Sequence, residues 1–169
     1  ISGGACAIAF ELREIAISGT PGCGKSSAGR ELSKLTGRRF VDMDEEIEKR
    51  AGMSIPEIFA QKGEAEFRAA ETEVLRDVSK GSGLVIATGG GVVTREENYP
   101  LLRQNSTVVF LEREDLNTLS KLGRPVPAAH SAAQLAAERM PMYRSWSDVT
   151  VKCIDPKRNA ENILEAIKP

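Results

Sequence analysis

The chain has 169 residues, of which 41% are hydrophobic and 28% charged, and its formal net charge is −1. That length suits one domain with a buried core, and the composition is that of a soluble globular protein. The near-neutral charge leaves no broad basic field for nucleic acid or an anionic membrane surface, and no apolar run reaches membrane-spanning length.

The chain starts Ile1-Ser2-Gly3-Gly4-Ala5-Cys6, without methionine and without a basic stretch ahead of an apolar run. No export-signal pattern is present there. Residues 1–12 read as an N-terminal extension or fusion remnant, and residues 13–169 as a single domain.

The first predicted strand is Glu14–Ser18. It runs into Gly19-Thr20-Pro21-Gly22-Cys23-Gly24-Lys25-Ser26, which fits the phosphate-binding pattern G-x-x-x-x-G-K-[ST]. A helix over Lys25–Thr36 follows, so the motif has the strand–loop–helix setting its chemistry needs. The glycines let successive backbone N–H groups turn inward around an anion, and the helix N-terminus adds positive dipole character. Gly22, Cys23, Gly24, Lys25, Ser26 and Ser27 are therefore candidate ATP-binding residues. Lys25 would reach the β- and γ-phosphates, and the Ser26 hydroxyl would ligate Mg²⁺. Cys23 reads as a small side chain that fits the loop.

The second strand is predicted over Arg39–Asp42 and a helix over Asp44–Ala51. Strand alternation puts Asp42 and Asp44 on one side, with Asp42 near the metal and Asp44 reaching toward an acceptor hydroxyl. Asp44 reads equally well as the N-cap of the following helix. A helical pattern then covers Ile55–Ser79, broken at Gly63. The third strand, Leu84–Thr88, ends in Thr88-Gly89-Gly90-Gly91. A turn explains one glycine; three at a strand end bring backbone close to a ligand. Thr88 stands where a hydroxyl would help hold Mg²⁺ or its water. With no aspartate there, the metal would rest on Ser26, phosphate oxygens and water, with Asp42 behind.

Helices are predicted over Arg95–Gln104, Asp115–Lys121, Ala132–Ser145 and Arg158–Ile167, and strands over Thr107–Leu111 and Val149–Cys153. Strands alternating with helices give an α/β fold with a parallel sheet covered on both faces. Ligands of such sheets gather at the carboxyl ends of the strands. Three cysteines, Cys6, Cys23 and Cys153, show no metal-binding spacing and point to a reducing, cytoplasmic setting. Arg68 follows Phe67 on a helix, Arg124 lies in Gly123-Arg124-Pro125, and Arg139 precedes Met140-Pro141-Met142-Tyr143. Each arginine alone reads as a solvated charge. Arg68 and Arg139 together would suit a carboxylate-bearing substrate.

Taken in order, Gly19–Ser26, Asp42-Met43-Asp44, Gly63-Glu64 with Phe67-Arg68, Gly89–Gly91, Arg124-Pro125, and Arg139 with Pro141 and Tyr143 resemble the shikimate kinase family. The resemblance spans roughly residues 14–168. It implies a three-layer P-loop NTPase fold with a five-stranded parallel sheet in the order 2-3-1-4-5. It implies transfer of the ATP γ-phosphoryl group to the 3-hydroxyl of shikimate, in aromatic amino-acid biosynthesis. Lys25, Asp44 and Arg124 would be catalytic, Ser26 and Asp42 would hold Mg²⁺, and Asp44, Arg68, Gly89, Gly90, Gly91 and Arg139 would bind shikimate.

The lid, at about residues 121–131, departs from the family pattern. It is short, and Lys121-Leu122-Gly123-Arg124-Pro125-Val126-Pro127 stands where a longer polar flap is usual. Lys121, Asp155 and Pro156 are the nearest matches on the adenine side. Pro125 and Pro127 stiffen the flap, so weaker ATP affinity or faster product release is expected. His130 reads as a surface residue. Gluconate kinase, nucleoside monophosphate kinase and a non-catalytic nucleotide-binding module are the competing readings. No Asn-Lys-x-Asp guanine motif is present. The expected partners are ATP and shikimate, with no nucleic acid or membrane. The protein is expected to work as a monomer, whether free or as one domain of a larger pathway protein.

Overall fold

The computed structural model describes residues 13–113 and 132–168, with side chains described outside 132–136. Five strands form one parallel sheet: β1 (Glu14–Ser18), β2 (Phe40–Asp42), β3 (Val85–Ala87), β4 (Ser106–Glu112) and β5 (Val149–Lys152). Their order is β2-β3-β1-β4-β5. The helices are α1 (Lys25–Thr36), α2 (Met43–Ala51), α3 (Ile55–Val78), α4 (Asn98–Arg103), α5 (Ala132–Trp146) and α6 (Pro156–Ile167). The helix predicted over 115–121 lies outside the described residues.

Every β1 residue is buried, as befits a central strand covered on both faces. Its pleat divides the core. Ala16, with Ile86, Val108 and Phe110, packs against α2, α3, α4 and α5. Ile15 and Ile17, with Val85, Val109 and Leu111, pack against α1 and α6 through Leu32 and Ile163. Because residues i and i+2 share a face, a one-residue slip would exchange the two cores, and that fixes the register Ile15 opposite Val85 and Thr107.

β1 has the expected bounds, and no other strand end differs from expectation by more than one residue. The larger departure is at 95–104, where one helix is predicted. A 3₁₀ turn over Val92–Thr94 comes first, and α4 starts only at Asn98. The cause is tertiary. Asn98 is fully buried; its amide donates to Val92 O (2.9 Å) and its carbonyl accepts from Thr72 Oγ1 (2.8 Å). The break expected at Gly63 is present: φ 84° and ψ 169° kink α3 there, a backbone state open to glycine.

β1 has β3 on one side and β4 on the other; the connection from β1 crosses toward β2 and that from β4 toward β5, so they leave neighbouring carboxyl ends in opposite directions. That is the topological switch point of an open α/β sheet. The phosphate loop occupies it.

Candidate active site

Five segments meet above the carboxyl ends of β1, β2 and β3 around a cleft of about 470 Å³. The phosphate loop brings Gly22, Gly24, Lys25, Ser26 and Ser27. β2 and α2 bring Asp42 and Asp44, α3 brings Arg68, the loop after β3 brings Gly89, Gly90 and Gly91, and α5 brings Arg139.

The loop wraps Lys25. Its Nζ donates to the carbonyls of Gly19 (2.9 Å) and Thr20 (2.8 Å), and the side chain is only 8% exposed. Burial lowers its pKa, and the nearby Cys23, Asp44 and Asp42 pull it back up. Gly24 sits at φ 96° ahead of α1, a left-handed conformation that the Gly-Lys-Ser junction requires. Cys23 turns its side chain into the apolar layer with Val151 and Ile163, away from the cleft.

The Asp-Met-Asp segment is built differently from the strand alternation predicted. β2 stops at Asp42 and α2 begins at Met43. Asp42, not Asp44, is the N-cap: Oδ1 accepts from Asp44 N (2.9 Å) and Glu45 N (3.3 Å). Its other oxygen, Oδ2, accepts the Ser26 hydroxyl. So the two residues assigned to the metal do face each other across β2 and α1. Asp44 is freed from capping and enters the cleft in the first turn of α2. Burial raises its pKa, and Asp42 adds to this; Lys25 and Arg68 oppose the shift.

Arg68 Nη1 donates to Glu71 Oε1 (3.1 Å), and its guanidinium lies over the Phe67 ring at 5.1 Å from the centroid. Glu71 is 1% exposed, and burial raises its pKa while Arg68 opposes the rise. Arg139 Nη1 donates to Gly90 O (3.2 Å), the same carbonyl that accepts the Tyr143 hydroxyl. Tyr143 is fully buried and stacks on Phe110 at 5.4 Å. The two arginines expected to converge therefore line one cleft, each oriented by a neighbour.

The glycine run is explained by close approach. A Cβ on Gly91 would lie 2.0 Å from Arg68 Nη1, and one on Gly89 would lie 2.7 Å from Glu71 Oε2 and 3.1 Å from Asp44 Oδ1. A Cβ on Gly90 would strike Pro21 at 2.5 Å. Thr88 lines the cleft, but its hydroxyl donates to Ile17 O (3.0 Å) and so ties β3 to β1.

Sequence reasoning missed Glu71, which stands among Phe67, Val74, Leu75 and Val78 in the buried stripe of α3. A lone acid at that helical phase was the available signal. It also missed Arg113, whose Nη1 donates to Gly22 O (2.8 Å) from the end of β4; nothing in its local sequence marks it. Pro156 opens α6 behind its N-cap Asp155 and does not line the cleft. Lys121 and Arg124 lie outside the described residues. No helix among the described residues is long and apolar enough to cross a membrane.

A parallel sheet with a Lys-Ser phosphate loop at its switch point, facing carboxylates and arginines across one cleft, defines a P-loop kinase of small molecules. The model of the shikimate kinase family matches residues 21–168. A shikimate kinase of Synechococcus sp. (strain CC9902) is 41% identical over 167 residues, covering 92% of this chain and 86% of that one. One from Halorhodospira halophila is 39% identical over 164 residues, covering 91% and 93%. Among solved structures, the shikimate kinase from Acinetobacter baumannii in complex with shikimate superposes with a TM-score of 0.82 at 35% identity, covering 95% of this chain and 96% of that one. The chain belongs to the shikimate kinase family, and the activity of that family is ATP-dependent phosphorylation of shikimate.

Proposed function

We propose that the protein transfers the γ-phosphoryl group of ATP to the 3-hydroxyl of shikimate, with the cleft residues in the roles that follow. The observation that carries this reading is the meeting of the phosphate loop with Asp44, Arg68 and Arg139 around one cavity. A cation-lined pocket beside a carboxylate suits an acidic polyol and does not suit a neutral sugar.

Lys25 exchanges its two loop carbonyls for phosphate oxygens when nucleotide arrives, and the loop amides hold the remaining charge. Arg68 and Arg139 clamp the shikimate carboxylate with paired N–H donors. Gly89, Gly90 and Gly91 let the ring lie against backbone. Asp44 accepts the hydrogen bond of the attacking hydroxyl. As that oxygen bonds to the γ-phosphorus and the bond to the β–γ bridging oxygen breaks, Asp44 takes the proton. Burial suits it to that task, because a raised pKa brings a carboxylate nearer the working pH. Arg124 meets the charge spread over the transferring group when the lid closes, and closure excludes water. Lys121 and Pro156 belong to the adenine side.

The oxygens of Ser26 and Asp42 form a hard-donor pair that fits Mg²⁺. Mg²⁺ held there would neutralise phosphate charge, with phosphate and water oxygens completing its shell. Among the described residues no group of three or more His, Cys, Asp and Glu could hold a metal alone, so the donor set suits an ion that arrives with nucleotide. A monomeric, cytoplasmic enzyme is the setting this reading favours.

The test is ADP release from MgATP with shikimate, gluconate or AMP as acceptor. Strong stimulation by shikimate alone is expected. Equal or greater stimulation by gluconate or AMP would overturn the substrate assignment.

A further inference from the structure

One peptide plane of the phosphate loop, Cys23–Gly24, is tied from outside the loop. The Gly22–Cys23 peptide is held at both ends: Cys23 N donates to Thr20 O (3.2 Å), and Gly22 O accepts from Arg113 Nη1 (2.8 Å). Gly24 O is held by the first bond of α1, from Ala28 N (2.9 Å). The plane between them, Cys23–Gly24, ends at Gly24, which stands in the left-handed region at φ 96°. A flip of that plane turns ψ of Cys23 and φ of Gly24, and glycine at the second position lowers its cost. Among the described residues, its tie is the Cys153 thiol, whose Sγ lies 3.1 Å from Cys23 O.

The direction of each bond follows from chemistry. A carbonyl only accepts, so Cys153 donates. Ile154 N donates to Asn159 Oδ1 (2.7 Å), which fixes the Asn159 amide the other way round, with Nδ2 donating to Cys153 Sγ (3.4 Å). Asn159 is 1% exposed, and α6 holds it through Asn159 N to Asp155 O (2.8 Å). The result is a chain from α6 through Asn159 and Cys153 to the back of the phosphate loop. In a trans peptide the N–H points opposite to the C=O. A carbonyl pinned toward Cys153 therefore turns the Gly24 N–H the other way, and Gly24 lines the cleft.

We infer that Cys153 is a positioning residue for nucleotide binding, pinning the Cys23–Gly24 peptide so that the Gly24 N–H faces the phosphates. The inference rests on the reading of Gly19–Ser26 as the nucleotide-binding loop. Cys153 touches no reacting atom; it acts through the loop carbonyl. Ordinary structural support would be felt equally by both substrates, whereas this pin acts on one.

The experiment measures the Kd of MgADP by calorimetry and the KM of each substrate for wild type, Cys153→Ala and Cys153→Ser, with Lys25→Ala as control. Loss of one hydrogen bond predicts about a three- to tenfold rise in the MgADP Kd and ATP KM for Cys153→Ala. The KM for shikimate stays within about twofold, and Cys153→Ser, which keeps a donor, recovers most of the loss. An unchanged MgADP Kd in Cys153→Ala, or equal rises in both KM values without rescue by serine, overturns the inference. Failure of wild type to bind MgADP, or full binding by Lys25→Ala, would instead overturn the loop assignment beneath it.

Discussion

Gly91→Ala isolates the shikimate pocket from the fold. The new methyl would lie 2.0 Å from Arg68 Nη1 and 2.5 Å from its Cζ and Nη2. The Gly91 backbone is at φ −98°, ψ 5°, a negative-φ turn conformation open to alanine. The atoms it strikes are the far end of a flexible side chain, so the fold yields by swinging the Arg68 guanidinium aside. Arg68 would then leave both Glu71 and the substrate carboxylate. A hydrogen bond to a charged group contributes about 1.5–3 kcal/mol, which at about 1.4 kcal/mol per decade means roughly a 10- to 150-fold weaker hold on shikimate. Initial-rate kinetics should show that rise in the KM for shikimate, with the KM for ATP within about twofold, because the phosphate loop is untouched. Thermal unfolding should shift little beside that loss. An unchanged KM for shikimate in a folded variant would refute both the clash argument and the placing of Arg68 at the carboxylate.

Lys25→Ala should abolish turnover with the fold retained, because the hydrogen bonds of the lysine stay within the phosphate loop, to the carbonyls of Gly19 and Thr20 and to the Cys23 thiol; substantial remaining activity in an ADP-release assay would sink the loop assignment. Arg139→Ala should raise the KM for shikimate far more than that for ATP, since Arg139 is held at Gly90 on the acceptor side; equal rises would move it out of the substrate site. Glu14, at the start of β1, is fully buried, neither carboxyl oxygen has a hydrogen-bond partner among the described residues, and burial pushes its pKa from 4.5 to about 7. The folded state holds its proton longer than the unfolded one, so stability is full below about pH 4.5, falls as pH rises to about 7, and stays lower above it. At about 1.4 kcal/mol per pH unit the loss reaches about 3 kcal/mol, and Glu14→Gln should recover it at pH 8 and gain little at pH 4.5. Urea unfolding at both pH values checks this; parallel pH profiles for the two proteins would count against the buried, unpaired carboxyl.

The phosphate loop was legible in sequence because one contiguous stretch carries its whole chemistry. Glycines supply the backbone freedom, Lys25 the charge and Ser26 the hydroxyl, and the adjoining strand and helix supply the setting. Short apolar runs alternating with helical patterns likewise marked the parallel sheet, because strands covered on both faces are apolar throughout and parallel neighbours need a crossover helix between them. The Asp-Met-Asp segment was legible only in part. The sequence marked both carboxylates and the strand end at Asp42, but it placed Asp44 by strand alternation or as the helix cap. The N–H groups of the first α2 turn recruit Asp42 as their cap, and that ends the strand and turns Asp44 into the cleft.

The sequence by itself determined the elements and the nucleotide loop, because hydrophobic period, glycine freedom and local charge act over a few neighbours. Only the tertiary structure decided that Arg68 and Arg139 converge, that Glu71 and Tyr143 orient them, and that Cys153 reaches the loop from behind. Those contacts join segments far apart in the chain. They depend on which strands pair and which way each helix crosses, and no local pattern of residues encodes them one by one.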